Sequence, residues 1–211
     1  MTEQTPVRDP VDAGSAVPAT ETKGERTRRR LLELAVEHFG ARGYRATSVS
    51  EIARAAGITQ AAVYAYFASK DALFDAAVDA DATALLEESQ PTLAATPARQ
   101  LVPMMLVLFI GGLDRHPLVR RVLSGREPEA LARLIHLPAL GRLTGDLADA
   151  VRSAQAAGEV REDLDADLFA SGAEAIVLSL LMSVTQVGSS TEPRRQLGVL
   201  TVFDAALRPP A

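Results

Sequence analysis

The residues best suited to chemistry lie between Thr47 and Lys70, in the run TSVSEIARAAGITQAAVYAYFASK. It holds hydroxyls (Thr47, Ser48, Ser50, Thr59), an amide (Gln60), small methyls (Ala61, Ala62), two phenols (Tyr64, Tyr66) and an ammonium (Lys70). None is a nucleophile paired with a base. Together they are the groups that meet nucleic acid. Gln offers a paired donor and acceptor to adenine, Ala meets a thymine methyl, and hydroxyls, phenols and Lys reach phosphate. Elsewhere no Ser-His-Asp arrangement, phosphate loop or metal-ligand motif can be spelled. Zero Cys excludes a thiolate, a disulfide and cysteine metal sites, the three scattered His (His38, His116, His136) form no HxxH or HExxH pair, and no cofactor is implied. Asp163, Asp165 and Asp167 resemble the start of a calcium loop but lack its Gly and closing Glu.

Two short helices must position this set. Ser48-Val49-Ser50-Glu51 spells a capping box, and Ile52, Ala53 and Ala56 form an inner face ended by Gly57 with positive φ. A second helix starts after Thr59 as N-cap and carries Val63 and Phe67 inward. Ile52, Ile58 and Val63 knit the pair, which is the helix-turn-helix arrangement; its second helix fits a major groove about 12 Å wide. Before it, Leu31, Ala35 and Phe39 repeat at helical spacing, with Gly40 and Gly43 as the stop. After it, Ser69 caps a helix through Leu73, Phe74, Ala77, Val78 and Leu85.

The residues Ala56-Gly57-Ile58-Thr59, Val63-Tyr64-Ala65-Tyr66-Phe67 and Ser69-Lys70-Asp71-Ala72-Leu73 resemble the TetR family of bacterial transcriptional regulators. Ala35, Phe39, Gly43-Tyr44 and Thr47-Ser48 fit the same family, so the resemblance covers about residues 25–75. It implies that Thr59, Gln60, Ala61 and Ala62 open a recognition helix and that Tyr64, Tyr66 and Lys70 meet phosphate. Thr47, Ser48 and Ser50 border the second helix, where they add contacts to the DNA backbone. Small Ala61 and Ala62 depart from the larger or polar residues often found there, which thins direct base readout and shifts weight to DNA shape. Each position also has a structural reading. Phe67 is core, Ser48 is first a cap, Tyr64 is divided between packing and phosphate, and Arg26, Arg28, Arg29 and Arg30 read either as a solvated face or as contacts to backbone phosphate or an adjacent minor groove.

The rest of the chain reads as all-α, about nine helices in total, with no strand alternation and no internal repeat. The expected organisation is a disordered arm at 1–22, a helix-turn-helix domain at 23–70, a connecting helix at 71–95 and an effector-binding and dimerisation domain at 96–211. Pro97, Pro117, Pro128 and Pro193 mark helix starts, giving about five helices over 97–208, with Pro138 inside a long one that Gly158 closes. Resemblance implies an apolar effector pocket. Met104, Met105, Leu108, Phe109, Leu137, Leu178 and Met182 are its candidate walls, and Arg133, His136 and Gln155 its candidate polar anchors. With this aliphatic lining the expected effector is a lipophilic small molecule. Phe169, Gly172, Ala173, Ile176, Leu180, Leu200 and Phe203 are the candidate interface of a homodimer reading a (pseudo)palindromic double-stranded operator.

Charge follows this division. The net −5 splits into −3 over residues 1–22, +5 over 23–70 (nine Lys and Arg against four acids) and −7 over 71–211. The positive segment is the one that spells the helix-turn-helix. The uncharged stretches Leu101–Leu113 and Ala175–Thr191 read as buried core helices rather than membrane spans. A cytoplasmic, effector-responsive repressor is the expected function. The alternative is a helical interaction protein whose helix-turn-helix does not bind DNA.

Overall fold

The computed structural model describes residues 22–187 and 193–209, so the expected arm at 1–22 lies outside the described residues except for Thr22. Ten α-helices and one short 3-10 turn, Pro128–Ala130, make up the described fold, and no strand occurs among these residues. The N-terminal module is α1 (Lys23–Ala46), α2 (Val49–Ala55) and α3 (Gln60–Tyr64). A 25-residue helix α4 (Lys70–Ala94) leaves it and runs into the larger body. That body comprises α5 (Ala98–Gly112), α6 (Pro117–Leu123), α7 (Leu131–Ile135), α8 (Pro138–Ala156), α9 (Ala166–Val187) and α10 (Pro193–Leu207).

The count exceeds the expected nine because Pro138 does not kink a helix; it starts one. Leu137 is extended (φ −65°, ψ 126°), as the residue before a proline prefers, and Pro138 takes the first turn of α8, where its missing N–H costs nothing. Gly40 is likewise no stop. Helix α1 runs through it, and a Cβ there would lie 2.8 Å from the Pro117 Cβ, so its bare backbone is what lets α1 approach the start of α6. The helical path breaks at Gly43 instead.

A continuous core joins the two regions. Leu31, Ala35 and Phe39 of α1 are fully buried with Leu73, Ala77 and Val78 of α4, and α6 buries Leu118, Val119, Val122 and Leu123. The rings of Phe39 and Phe74 meet edge-on at 5.1 Å, and Tyr44 meets Phe74 at the same distance. Six of the nine aromatics sit between Phe39 and Phe74, so the body is packed mainly by aliphatic side chains. Helix α9 departs from expectation. It is 22 residues long and apolar enough by length and composition to cross a membrane, with mean hydropathy 1.7 over its best window and only 22% of that window buried. The sequence placed this apolar stretch in a core; the fold packs one face of α9 on α8 and α5 and leaves the other open.

Candidate functional site

Helix α2 begins as its sequence dictates. Ser48 Oγ accepts from the Glu51 amide at 3.3 Å, and Glu51 Oε2 accepts from the Ser48 amide at 3.0 Å. Arg42 of α1 donates to both Glu51 oxygens at 2.9 and 3.0 Å, tying α2 to α1. This guanidinium, aided by the Ser48 amide, holds the Glu51 carboxyl at about 2, below the ordinary 4.5. Arg42 also donates to His38 Nδ1 at 2.8 Å. The turn to α3 passes through Gly57 at φ +70°, a left-handed conformation that costs glycine little.

Helix α3 has five residues, held by the fully buried Val63 and capped by Thr59, whose Oγ1 accepts from the Ala62 amide at 3.1 Å. Thr59, Gln60 and Ala61 are exposed, and Ala62 is half-buried. Tyr64 and Tyr66 point outward, 42% and 36% exposed, with Ser50 also exposed and Ser48 half-buried. Lys70, at the start of α4, lays its Nζ 4.3 Å from the Tyr44 ring centroid. Phe67 is buried, as expected of core, and Arg28 stacks its guanidinium 5.0 Å above that ring. One residue leaves the set. Thr47 is buried at 2% exposure, with its hydroxyl directed to the Gly43 and His38 carbonyls, so it braces the α1–α2 corner from within.

The body contains an apolar cavity of about 70 Å³ between α4, α5, α6, α7, α8 and α9. Of the candidate walls, Met105, Phe109, Leu137 and Leu178 line it, while Met104, Leu108 and Met182 pack half-buried on the core outside the lining. The three expected polar anchors are elsewhere. Arg133 faces outward and pairs with Asp79 at 2.8 Å and Asp75 at 3.2 Å on α4. His136 is exposed at the end of α7. Gln155 donates to the carbonyls of Arg161 and Leu164 at 2.9 and 2.8 Å, pinning the α8–α9 link. The polar member of the lining is Glu174, which the sequence reading missed: one acid on an apolar helix reads as a solvated position. Leu85, Leu86 and Ala82 bring α4 into the same lining.

The expected interface residues divide. Ala173 and Phe203 are buried at 1% and 4%, and Phe169 meets Phe203 edge-on at 5.9 Å, so the two rings join α9 to α10 within one chain. Gly172 and Ile176 are exposed, and Leu180 and Leu200 half-buried. Leu168, Leu197 and Val202 widen the open face, each more than 60% exposed. Among the described residues no group of three or more His, Asp or Glu could hold a metal ion. Asp163 pairs with Arg161, Asp167 with Arg152, and Asp165 caps α9 through the Asp167 and Leu168 amides.

Sequence reasoning also missed what joins the two regions. Glu127 Oε1 accepts from the Tyr44 amide at 3.1 Å and from Arg121 Nε at 2.8 Å, and the Tyr44 hydroxyl donates to Asp71. Asp81, buried in α4, faces the buried His116 and the first amides of α6.

An all-helical body behind an N-terminal helix-turn-helix with an exposed second helix defines the helix-turn-helix class of regulators. Residues 31–77 match the bacterial regulatory proteins of the tetR family. The chain carries a segment similar to the helix-turn-helix of that family. It is 46% identical over 59 residues to the HTH-type transcriptional repressor KstR2 of Rhodococcus jostii, a match covering 28% of this chain and 29% of that protein. The first curated relatives are thus matched over less than a third of their length. A longer match, 29% identical over 161 residues, covers 71% of this chain and 73% of the probable acrEF/envCD operon repressor of Escherichia coli K12. In fold, the chain is similar to the regulator FadR of Bacillus subtilis, solved with stearoyl-CoA: TM-score 0.66, 16% identity, covering 85% of this chain and 99% of that one.

Proposed function

We propose that this protein is a cytoplasmic, dimeric transcriptional repressor that binds double-stranded operator DNA through α3 and releases it when a lipophilic molecule enters the cavity. The observation that carries the reading is the outward face of the α2–α3 unit. Gln60, Ala61 and Tyr64 of a short helix whose inner side is locked by Val63, its cap Thr59 and Tyr66 in the turn after it are all exposed, on the segment that carries +5 charge. Gln60 reads adenine, while Ser48, Ser50, Tyr64, Tyr66 and Lys70 hold phosphate. Readout through so few bases leans on DNA shape. Two copies joined through the open α9–α10 face present two such helices to half-sites roughly 34 Å apart, or a multiple of that spacing.

Helix α4 supplies the link. It carries Lys70 at the duplex end and Leu85 and Leu86 in the cavity wall. A molecule that fits only a widened cavity favours a different α4 position and so a different spacing of the two α3 helices. The test is an electrophoretic shift on the DNA upstream of the protein's own gene, repeated from 50 to 200 mM salt. The expected result is a sequence-preferring complex that weakens with salt and that Tyr64→Ala plus Lys70→Ala weakens by at least tenfold, each lost phosphate contact reducing the salt slope by about 1. A chain that binds no sequence in preference to another is instead an interaction protein.

A further inference from the structure

We infer that Arg28, near the start of α1, is a phosphate contact of the DNA-bound protein, seated for that role on Phe67. The inference rests on reading the α2–α3 unit as the DNA-binding surface and adds a cation from outside that unit. The charged groups beside it in sequence are engaged. Arg30 Nη1 lies 3.2 Å from Glu33 Oε2 and Arg29 Nε 4.0 Å from Glu33 Oε1, so both are drawn along α1 to one carboxylate. Glu25, one turn before Arg28, accepts from the Thr22 amide and hydroxyl at 2.7 and 2.8 Å. Arg28 itself is exposed, and among the described residues no carboxylate pairs with it. Its partner is the ring of Phe67, whose centroid lies 5.0 Å from the guanidinium carbon.

Phe67 lies in the turn between α3 and α4, directly after Tyr66 and shortly before Lys70. Lys70 is seated in the same way, with Nζ 4.3 Å from the Tyr44 ring centroid. Both contacts join α1 to this turn: Arg28 reaches it from near the start of α1, and Tyr44 receives Lys70 near the end. Two ring-seated cations therefore adjoin the turn that carries Tyr66, and among the described residues neither is paired with a carboxylate. The negative face of a ring holds a cation in place. It occupies none of the guanidinium N–H donors, which stay available to meet a phosphate through two parallel bonds. A side chain already seated also has less rotamer freedom to lose when the phosphate arrives.

The test titrates the full-length protein onto two labelled duplexes, one from upstream of its own gene and one of mixed sequence, and follows fluorescence anisotropy from about 50 to 200 mM salt. Over that range the wild type should lose about three- to fourfold more affinity than Arg28→Gln, the share of one phosphate contact. The difference should be the same on both duplexes, because phosphate carries no sequence. Arg28→Lys, which keeps the charge, should restore the wild-type salt dependence, and Arg30→Gln should match wild type. An Arg28→Gln protein that unfolds at lower temperature but keeps the full salt dependence overturns the inference, since Arg28 then only covers Phe67. Equal effects of Arg28→Gln and Arg30→Gln overturn it too, because net charge rather than a contact is then at work. A loss confined to one duplex assigns Arg28 to base readout and overturns the phosphate role. Wild type that binds neither duplex overturns this inference and the DNA-binding reading together. Wild type that binds and is weakened by Lys70→Ala, with Arg28→Gln silent, overturns this inference alone.

Discussion

Asp81 and His116 form a buried pair, with Oδ1 and Nδ1 2.9 Å apart and both side chains about 95% shielded from solvent. The other Asp81 oxygen accepts the amide hydrogens of Leu118 and Val119, each at 2.9 Å. One carboxylate of α4 thus fixes the imidazole ahead of α6 and closes two of the open amides at the N-terminus of α6. Beyond the ring, His116 Nε2 faces Glu88 at 3.4 Å, too far for a good hydrogen bond.

Removing that carboxylate strands three donors. Asp81→Ala should lower stability by about 3 kcal/mol, the scale for breaking a buried charged network. Asp81→Asn, which keeps one acceptor oxygen, should lose less. Urea unfolding followed by circular dichroism measures both, and equal midpoints for wild type and Asp81→Ala would show the network to be without energetic weight.

The Glu51–Arg42 pair predicts an acid-side dependence. Because Arg42 holds the Glu51 carboxyl at about 2 instead of the ordinary 4.5, the folded state takes up its proton later than the unfolded chain. The resulting stabilisation is present above about pH 4.5 and is lost as pH falls toward 2. The gap in unfolding midpoint between wild type and Glu51→Gln should therefore be widest near pH 6 and close toward pH 2. A gap independent of pH would assign Glu51 a purely geometric role as a cap.

Two glycines should respond to alanine for different reasons. Gly40→Ala drives a methyl into Pro117 and should cost about 1–3 kcal/mol through displacement of α1 from α6. At Gly57 nothing lies within 4 Å of the added carbon, so only the positive φ is penalised, by about 1–2 kcal/mol. Gly57→Asn should recover part of that loss, as Asn tolerates the left-handed region. Gly40→Asn should recover none. Thermal unfolding of the four variants separates steric from conformational cost.

The open and closed sides of α9 should behave oppositely. Ile176→Asp, on the exposed face, is expected to halve the mass measured by light scattering while leaving the helical content intact. Ala173→Leu, at a site 1% exposed, should lower the unfolding midpoint by overpacking the contact with neighbouring helices. A wild-type protein that is already monomeric at micromolar concentration would refute the pairing.

What could be read from the sequence was local. Ser48, Thr59 and Ser69 announce their helices because a cap needs only the residue three positions on, and all three hydroxyls accept from those amides. Pro138 was misplaced by one step of the same logic: the sequence shows a helix breaker but not which side of it the new helix takes. The pocket anchors failed for a different reason. Helical spacing assigns Arg133, His136 and Gln155 to apolar neighbourhoods, but whether a face turns inward depends on how α7 and α8 pack on α4. The missed contacts are long-range, with Tyr44 and Glu127 83 positions apart and Asp81 and His116 35 apart. Nothing in the local pattern of either partner names the other.

The approach of Gly40 to Pro117 bears on portability. Helix α1 belongs by sequence to the reading head, yet part of the surface it packs against is formed by the start of α6, in the other region. A chimera that grafts residues 22–70 onto another sensor would transplant half of a joint. Such a hybrid would signal only if its new body presented a proline-sized ridge opposite residue 40 and a carboxylate to receive the Tyr44 amide.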